Sequence, residues 1–433
     1  MLSFSISNAF ANQTPGSAQA PLTALQKASL QPSGIPLSGP GNLIHGVDLS
    51  IWQHKAGLIN FKKMYQSGVR VLIVKGSDSI PKYDSSAFVY MRADRIAAHL
   101  NGIFTSFYHY ATLPNVSDLP SLNADAVKQA QHVAQRITEL GGYSPLDLPV
   151  ALDLESNCVA ADTQGNCTKR LSPKLTTAWV STFMSTLTSL TNRKPMIYSY
   201  PTFLEGNLLY NSDLAQYPLW VAQYGASPAD LSHAPGARGF GCYLTPWTDS
   251  SCLQNWSVWQ YTSCGIGSKY GIASGRLDLN VFRGTPDQFI SFANGNWTPP
   301  VTNALPLNQP TTMNIDSVTA TDSRRPVVIQ LSVSANNSYV LDGSVKYFNP
   351  DSIQGSGNSS FIRLPDGKFQ LTVSGLTAGN YVGEIEFRDI TGVYAPTSTP
   401  FQFSIVKPDP NTPIPPKAKP TPAPTGCAAQ FIN

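Results

Sequence analysis

The sequence predicts an α/β fold: an irregular β/α barrel followed by a separate all-β sandwich. Three observations carry this. Between Gly46 and Phe282, eight short apolar runs are separated by helical or loop-like stretches. A Pro-, Thr- and Asn-rich stretch, Trp297–Pro310, then interrupts the pattern. From Asn314 to Val406 the runs alternate apolar and polar, with turn signals such as Asp342-Gly343, Asp366-Gly367 and Thr391-Gly392 between them. Strands alternating with helices make parallel β/α units, and eight such strands close a barrel. Short alternating strands at this spacing make a two-sheet antiparallel sandwich.

Taken in order, residues 1–43 are rich in Ser, Gln, Pro, Gly and Ala, with one apolar patch at Leu22–Leu30. They read as a tail or linker with a short helix. The eight expected barrel strands are Gly46–Ser50, Val69–Ser77, Ile103–Tyr110, Leu148–Glu155, Pro195–Tyr200, Tyr217–Tyr224, Trp256–Tyr261 and Arg276–Phe282. Helical periodicity occupies Asp84–Leu100, Ala124–Leu140 and Ser172–Leu190; in the last, Leu175, Trp179, Phe183 and Leu187 share a face and Ser172 caps before Pro173. Gly225–Asn255 is loop-like, so the barrel is expected to lose regularity in its final third. Five runs in the C-terminal part, Val327–Val333, Val345–Phe348, Phe369–Val373, Tyr381–Phe387 and Phe401–Ile405, suit a sandwich of immunoglobulin-like size. The expected boundaries are a tail at 1–43, the barrel at 44–291, a linker at 292–313, the sandwich at 314–407 and a Pro-rich, extended tail at 408–433.

The bulk composition narrows the function. Of 433 residues, 13% are charged, against roughly 25% in ordinary soluble domains. Ser, Thr, Asn, Gly and Pro fill the difference, which suits a protein exposed outside the cytoplasm. A net charge of +3 gives no argument for nucleic acid. No apolar run is long enough to span a membrane. Met1–Ala20 lacks the basic and apolar regions of a secretory signal, so periplasmic or extracellular action needs another route, such as a holin, a virion or a secretion machine. Cys158 and Cys167 flank one polar loop and Cys242 and Cys252 another; local disulfides and free thiols both fit, with Cys264 and Cys427 left over. No Cys-x-x-Cys, His-Glu-x-x-His or His cluster calls for a metal, and no cofactor is expected.

The chemistry is read at the strand ends, where a β/α barrel builds its site. Strand four ends in Asp153 and Glu155, two positions apart and so on one face. Paired carboxylates on one face are what glycoside hydrolysis requires, although a strand end can also carry acids that reach solvent or a salt bridge. The other strands add Asp48, Lys75 with Asp78, Tyr108, Tyr198, Trp220 with Gln223, Gln260, and Asp278. One at a time each has a bland reading: Lys as a solvated charge, Tyr and Trp as core. Together they describe a carbohydrate cleft, because aromatic faces stack on pyranose C–H surfaces while amides and carboxylates bind hydroxyls. Several acids in one cleft raise one another's pKa values, which keeps one protonated near neutral pH.

Six motifs in this order, Gly46-Val-Asp-Leu-Ser-Ile-Trp-Gln53, Phe107-Tyr-His-Tyr110, Ala151-Leu-Asp-Leu-Glu155, Leu219-Trp-Val-Ala-Gln-Tyr224, Val258-Trp-Gln-Tyr261 and Leu277-Asp-Leu-Asn280, resemble the glycoside hydrolase family 25 muramidases. The resemblance covers roughly 44–289 and implies an irregular TIM-like barrel. It implies cleavage of the β-1,4 bond between N-acetylmuramic acid and N-acetylglucosamine, with retention. It makes Glu155 the general acid and Asp153 an orienting or stabilising group, and it puts Asp48 and Asp278 in the same cleft. Tyr108, Tyr198, Trp220, Gln223 and Gln260 become sugar contacts. Where the family carries Lys-Ala-Thr-Glu-Gly, this chain has Lys75-Gly-Ser-Asp-Ser79, which shortens the acid at Asp78. A family 18 chitinase is excluded by Ala151, where its Asp-x-x-Asp-x-Asp-x-Glu motif needs an acid. The alternative is a non-catalytic glycan-binding, virion or secretion-apparatus protein on the same barrel. The sandwich could dock to wall, virion or secretion machinery.

Overall fold

The computed structural model describes residues 21–298 and 313–410, apart from residues 56, 211 and 274 and short stretches within 226–253, 334–367 and 390–399. Eight strands form a closed barrel: β1 (Ile44–Leu49), β2 (Val71–Asp78), β3 (Phe104–Tyr110), β4 (Ala151–Asp153), β5 (Met196–Ser199), β6 (Leu219–Ala222), β7 (Trp256–Ile266) and β8 (Arg276–Phe282). Around it lie the long helices α1 (Pro81–Leu100), α2 (Leu119–Glu139) and α3 (Pro173–Thr191). Each starts with Pro in its first turn, and Asp118 and Ser172 cap α2 and α3 by accepting from Ser121 N and Leu175 N.

One expectation of direction fails. β1 to β7 run parallel wherever they pair with one another, but β8 is antiparallel to both β7 and β1. The short β7–β8 connection allows this, because an antiparallel neighbour needs no crossover helix. β8 therefore brings its N-terminal end to the mouth that the other strands reach with their C-terminal ends. Register places Asp48 opposite Asp278.

Alternation along the strands sorts side chains into two cores. Val47, Leu49, Leu72, Val74, Leu152 and Val221 face outward onto Met91, Ala126, Trp179 and Phe183 of the helices. Ile44, Ile73, Phe104, Met196, Val258 and Phe282 fill the barrel interior. Gly46 lies in that interior layer, where an added Cβ would meet Val71 Cβ at 3.0 Å and Asn280 Cβ at 3.4 Å. The barrel floor holds a second correction. Residues 21–43, expected as linker, pack against the barrel: Ile35 is buried with Ile44, Phe104 and Phe289, and Arg70 Nε donates to the Gly34 carbonyl at 3.2 Å. The helix expected there is Ala24–Ser29, closed by a capping box between Thr23 and Gln26.

Two further sheets occupy the C-terminal part. β9 (Met313–Thr319), β10 (Val327–Val333), β13 (Phe369–Ser374) and β12 (Asn358–Arg363) form one, in that order. β11 (Val340–Phe348), β14 (Gly379–Asp389) and β15 (Tyr394–Pro396) form the other, with β16 (Phe401–Ile405) also paired to β14. Ile329, Leu331, Leu371 and Val373 of the first meet Tyr381, Ile385, Phe403 and Ile405 of the second in one core.

Candidate active site

The mouth of the barrel is built in layers. Its floor is Trp220, 1% exposed, whose indole Nε1 donates to Asn280 Oδ1 at 2.8 Å. The rings of Tyr198 and Tyr108 pack on it, at centroid distances of 4.3 and 6.1 Å. Trp220, expected as a sugar contact, instead supports the side chains above it.

Above the floor stands Asp48, buried at 5% exposure. Its Oδ2 accepts from Asn280 Nδ2 at 2.7 Å and from Gln260 Nε2 at 2.8 Å. Gln260 Oε1 in turn accepts from the hydroxyls of Tyr198 at 2.9 Å and Tyr224 at 2.5 Å. Gln260 is thus committed on both ends of its amide and is 3% exposed, so it positions Asp48. Asp48 and Asp278 hydrogen-bond each other, which two carboxyls can do only by sharing a proton. Burial and the Asp48 charge push Asp278 up to about 9, while burial, opposed by the Gln260 and Asn280 bonds, moves Asp48 to about 6. Asp278 holds the shared proton at neutral pH and donates it to the Asp48 carboxylate.

Asp153 and Glu155 form the second pair, also hydrogen-bonded to each other. β4 stops at Asp153, and the chain beyond it is held by Leu154 N–H donating to Tyr198 O, Ser199 Oγ donating to Leu154 O and Tyr200 Oη donating to Glu155 O. Burial, then the Glu155 charge, lifts Asp153 well above the carboxylate range; burial also raises Glu155, and the Lys75 charge draws both back. Asp153 is 4% exposed and its buried Oδ1 has no hydrogen-bond partner. Glu155 is the more open of the two.

Lys75 Nζ contacts Asp78 Oδ2 at 2.6 Å and lies 4.6 Å from the Tyr110 ring centre. Asp78 also accepts from Ile80 N–H at 2.8 Å, and its side chain is 1% exposed. Its expected sugar contact gives way to holding Lys75. Gln223 is buried at 9%, and its main chain joins β7 through Gln223 N–H to Gln260 O at 3.0 Å. The structure thus brings Asp48, Asp153, Glu155, Asp278, Lys75, Tyr108 and Tyr198 to one mouth. Asn280, Tyr224 and Tyr200 join them; the sequence places all three at strand ends but assigns them no role. Asn280 and Tyr224 lie in the strand-end motifs already quoted, so the signal was present; their partners were not visible.

Cys158 and Cys167 form a disulfide of 2.08 Å, which ties a hairpin of Cys158–Ala161 and Cys167–Arg170 just beyond Glu155. Cys264 is also disulfide-bonded and so is not left over. The proposed Cys242–Cys252 bond, and Cys427, lie outside the described residues. Among the described residues no group of His, Cys, Asp and Glu could hold a metal ion, and no helix is long and apolar enough to cross a membrane.

A closed barrel whose mouth holds two proton-sharing carboxyl pairs under aromatic walls defines a glycoside hydrolase. The family model for glycosyl hydrolases family 25 matches residues 47–269, and the chain belongs to that family. It is 27% identical over 256 residues to Lysozyme M1 of Streptomyces globisporus, covering 58% of this chain and 71% of that one. It is 28% identical over 213 residues to the N,O-diacetylmuramidase of Chalaropsis sp, covering 48% and 88%. The crystal structure of the bacterial lysozyme from Streptomyces coelicolor aligns at 24% identity and TM-score 0.43, covering 60% of this chain and 99% of that one.

Proposed function

We propose that this chain is an N-acetylmuramidase that hydrolyses the β-1,4 bond between N-acetylmuramic acid and N-acetylglucosamine in peptidoglycan. The observation that carries the proposal is the Asp153–Glu155 pair, which shares one proton at the open end of the barrel. Asp153, the more strongly raised member, holds the shared proton at rest and hands it across their hydrogen bond to Glu155, the more exposed member, which presents it to the glycosidic oxygen as the bond breaks. Asp153, left as the carboxylate, stabilises the developing positive charge at the anomeric carbon. We also assign Asp153 a second role, accepting at Oδ1 from the N–H of the substrate's acetamido group once substrate binding opens that buried, unpartnered oxygen. That hydrogen bond would orient the acetamide for attack on the anomeric carbon, giving retention after water opens the intermediate. The Asp48–Asp278 pair carries a single negative charge below the cleft and steadies the same cation. Water is activated in the second step by Glu155, now the base, as microscopic reversibility requires.

The test is to digest purified peptidoglycan, reduce the products with borohydride and identify the new ends. Muramitol supports the reading, while glucosaminitol or no new ends defeats it. Glu155→Gln should bind peptidoglycan normally and lose roughly 10²–10⁴-fold in turnover, the share that general-acid catalysis supplies. Near-normal turnover in that variant would remove Glu155 from the role.

The two C-terminal sheets over one core support an immunoglobulin-like module. We assign it a docking role toward the wall or a delivery apparatus. The Cys158–Cys167 bond supports action in an oxidising space outside the cytoplasm. Sedimentation of residues 314–406 with insoluble sacculi tests the wall arm: co-sedimentation supports it, and a module left in solution assigns docking elsewhere.

A further inference from the structure

The mechanism uses the carboxyl pairs and the aromatic mouth but leaves the disulfide-tied hairpin without a task. This hairpin begins three residues past Glu155, and its base is fixed. Asn157, 5% exposed, donates from Nδ2 to Leu171 O at 2.8 Å and accepts at Oδ1 from Arg170 Nη1 at 3.1 Å. Register sets Arg170 opposite Cys158 and Lys169 opposite Ala160, and the Cys158–Cys167 bond closes the ladder. Lys169 Nζ reaches across to the β3–α2 connection, donating to Asn115 Oδ1 at 2.9 Å and Ser117 Oγ at 3.4 Å. Both cations are exposed, and neither has a carboxylate partner among the described residues. Arg170 stands close enough to Tyr200 for its charge to act on that hydroxyl, and the same hydroxyl donates to the Glu155 carbonyl. Two unneutralised cations are therefore held at the rim beside the general acid.

Resting on the muramidase reading above, we propose that Arg170 and Lys169 form a cationic rim that binds carboxylates of the peptide carried by the muramic acid residue, so that the enzyme favours glycan strands bearing acidic stem peptides. The chemistry fits the place. The scissile bond lies at muramic acid, whose lactyl ether projects the peptide away from the sugar plane. A carboxylate leaving the cleft on that side meets an Arg fork already oriented by Asn157. The disulfide keeps the two cations beside the cleft without the entropy cost of ordering a free loop on binding.

The experiment compares kcat/KM of the full chain on two substrates, intact sacculi and the same glycan strands stripped of peptide by an amidase. The wild type should prefer the peptide-bearing strand, and added salt should erode that preference, because exposed charges are screened. Arg170→Ala and Lys169→Ala should each lower the preference roughly two- to fivefold, the range of an exposed ion pair. Arg170→Glu should lower it further, and Arg170→Lys should restore part of it. Equal losses on both substrates, or an unchanged preference, overturn the inference and leave the muramidase reading standing. A wild type that yields muramitol from neither substrate overturns both.

Discussion

Asp278 shows how far a single residue's chemistry departs from its type. A lone aspartate near the start of a strand would be ionised, but here burial and Asp48 push it up to about 9, so it is the neutral donor of its pair. Asparagine has the same shape, is always neutral and can donate from Nδ2 to Asp48. Asp278→Asn should therefore retain several times the turnover of Asp278→Ala, which leaves Asp48 without that donor; reducing-end assays on sacculi at pH 6 measure the ratio. Equal losses would mean that Asp278 must ionise during the reaction. Gln260 makes the converse case. Its Nε2 neutralises part of Asp48 while its Oε1 collects two tyrosine hydroxyls. Gln260→Glu removes the donor and adds a carboxylate beside Asp48, so it should be more damaging than Gln260→Ala, though the latter is the larger truncation. Sequence showed that these residues sit at strand ends. Which of four acids is neutral depends on distances between strands, and no local pattern encodes those.

At the scale of the element, the barrel was legible because alternation is local. All eight strands were located from apolar runs, and α1, α2 and α3 from their periodicity, with a cap legible at Ser172. The direction of β8 was not, because a period of two is the same read either way. The depth of a residue in the barrel was equally hidden, since strand stagger sets the layer. Trp220 therefore looked like a rim aromatic and proved to be the floor. It can be tested as such. Trp220→Ala should cost about 3–5 kcal/mol in unfolding free energy, as large buried aromatics do when removed. Trp220→Phe should keep most of that stability yet lower turnover, because Asn280 loses its indole donor and orients Asp48 less well. Denaturant unfolding and kcat on the same preparations separate the two effects; Trp220→Phe with wild-type turnover would end the positioning argument. In the C-terminal part, β12 was missed because Asn358-Ser-Ser is polar, although its backbone pairs with β13 in full register. Residues 21–43 were missed as part of the barrel because their few apolar side chains have no period.

At the scale of the whole molecule, Asp147 in the barrel wall and the Asp48–Asp278 pair in the mouth respond to pH in opposite directions. In the wall, Asp147 accepts from Arg95 Nε at 2.9 Å and Nη2 at 2.5 Å and from Thr105 Oγ1 at 3.0 Å. Despite its burial, the Arg95 and His99 contacts hold it well below the usual carboxylate range. A lowered pKa means the folded state binds fewer protons, so this contribution is present above about pH 4 and is lost as pH falls further. In the mouth the sign reverses. Asp278 and Asp48 bind protons more tightly folded than unfolded, at about 9 and about 6. Their stabilisation is greatest below the ordinary carboxylate pKa and is lost as pH rises, through about 6 for Asp48 and toward 9 for Asp278. The two substitutions should therefore give unlike curves of Tm against pH. Asp147→Asn leaves Arg95 without its ion partner and should lose about 3–5 kcal/mol at neutral pH, the cost of breaking a buried pair. That deficit should shrink as the wild type is taken below pH 4. Asp278→Asn carries no proton to lose, so it should gain on the wild type as pH rises from 4 to 9 and fall back toward it in acid. Parallel curves for either variant would show that its carboxyl titrates alike in the folded and unfolded chain, which would remove the pKa argument at that position. Opposed curves would show a site whose acids the fold holds neutral against their ordinary tendency to ionise, on a scaffold that needs its own acid ionised.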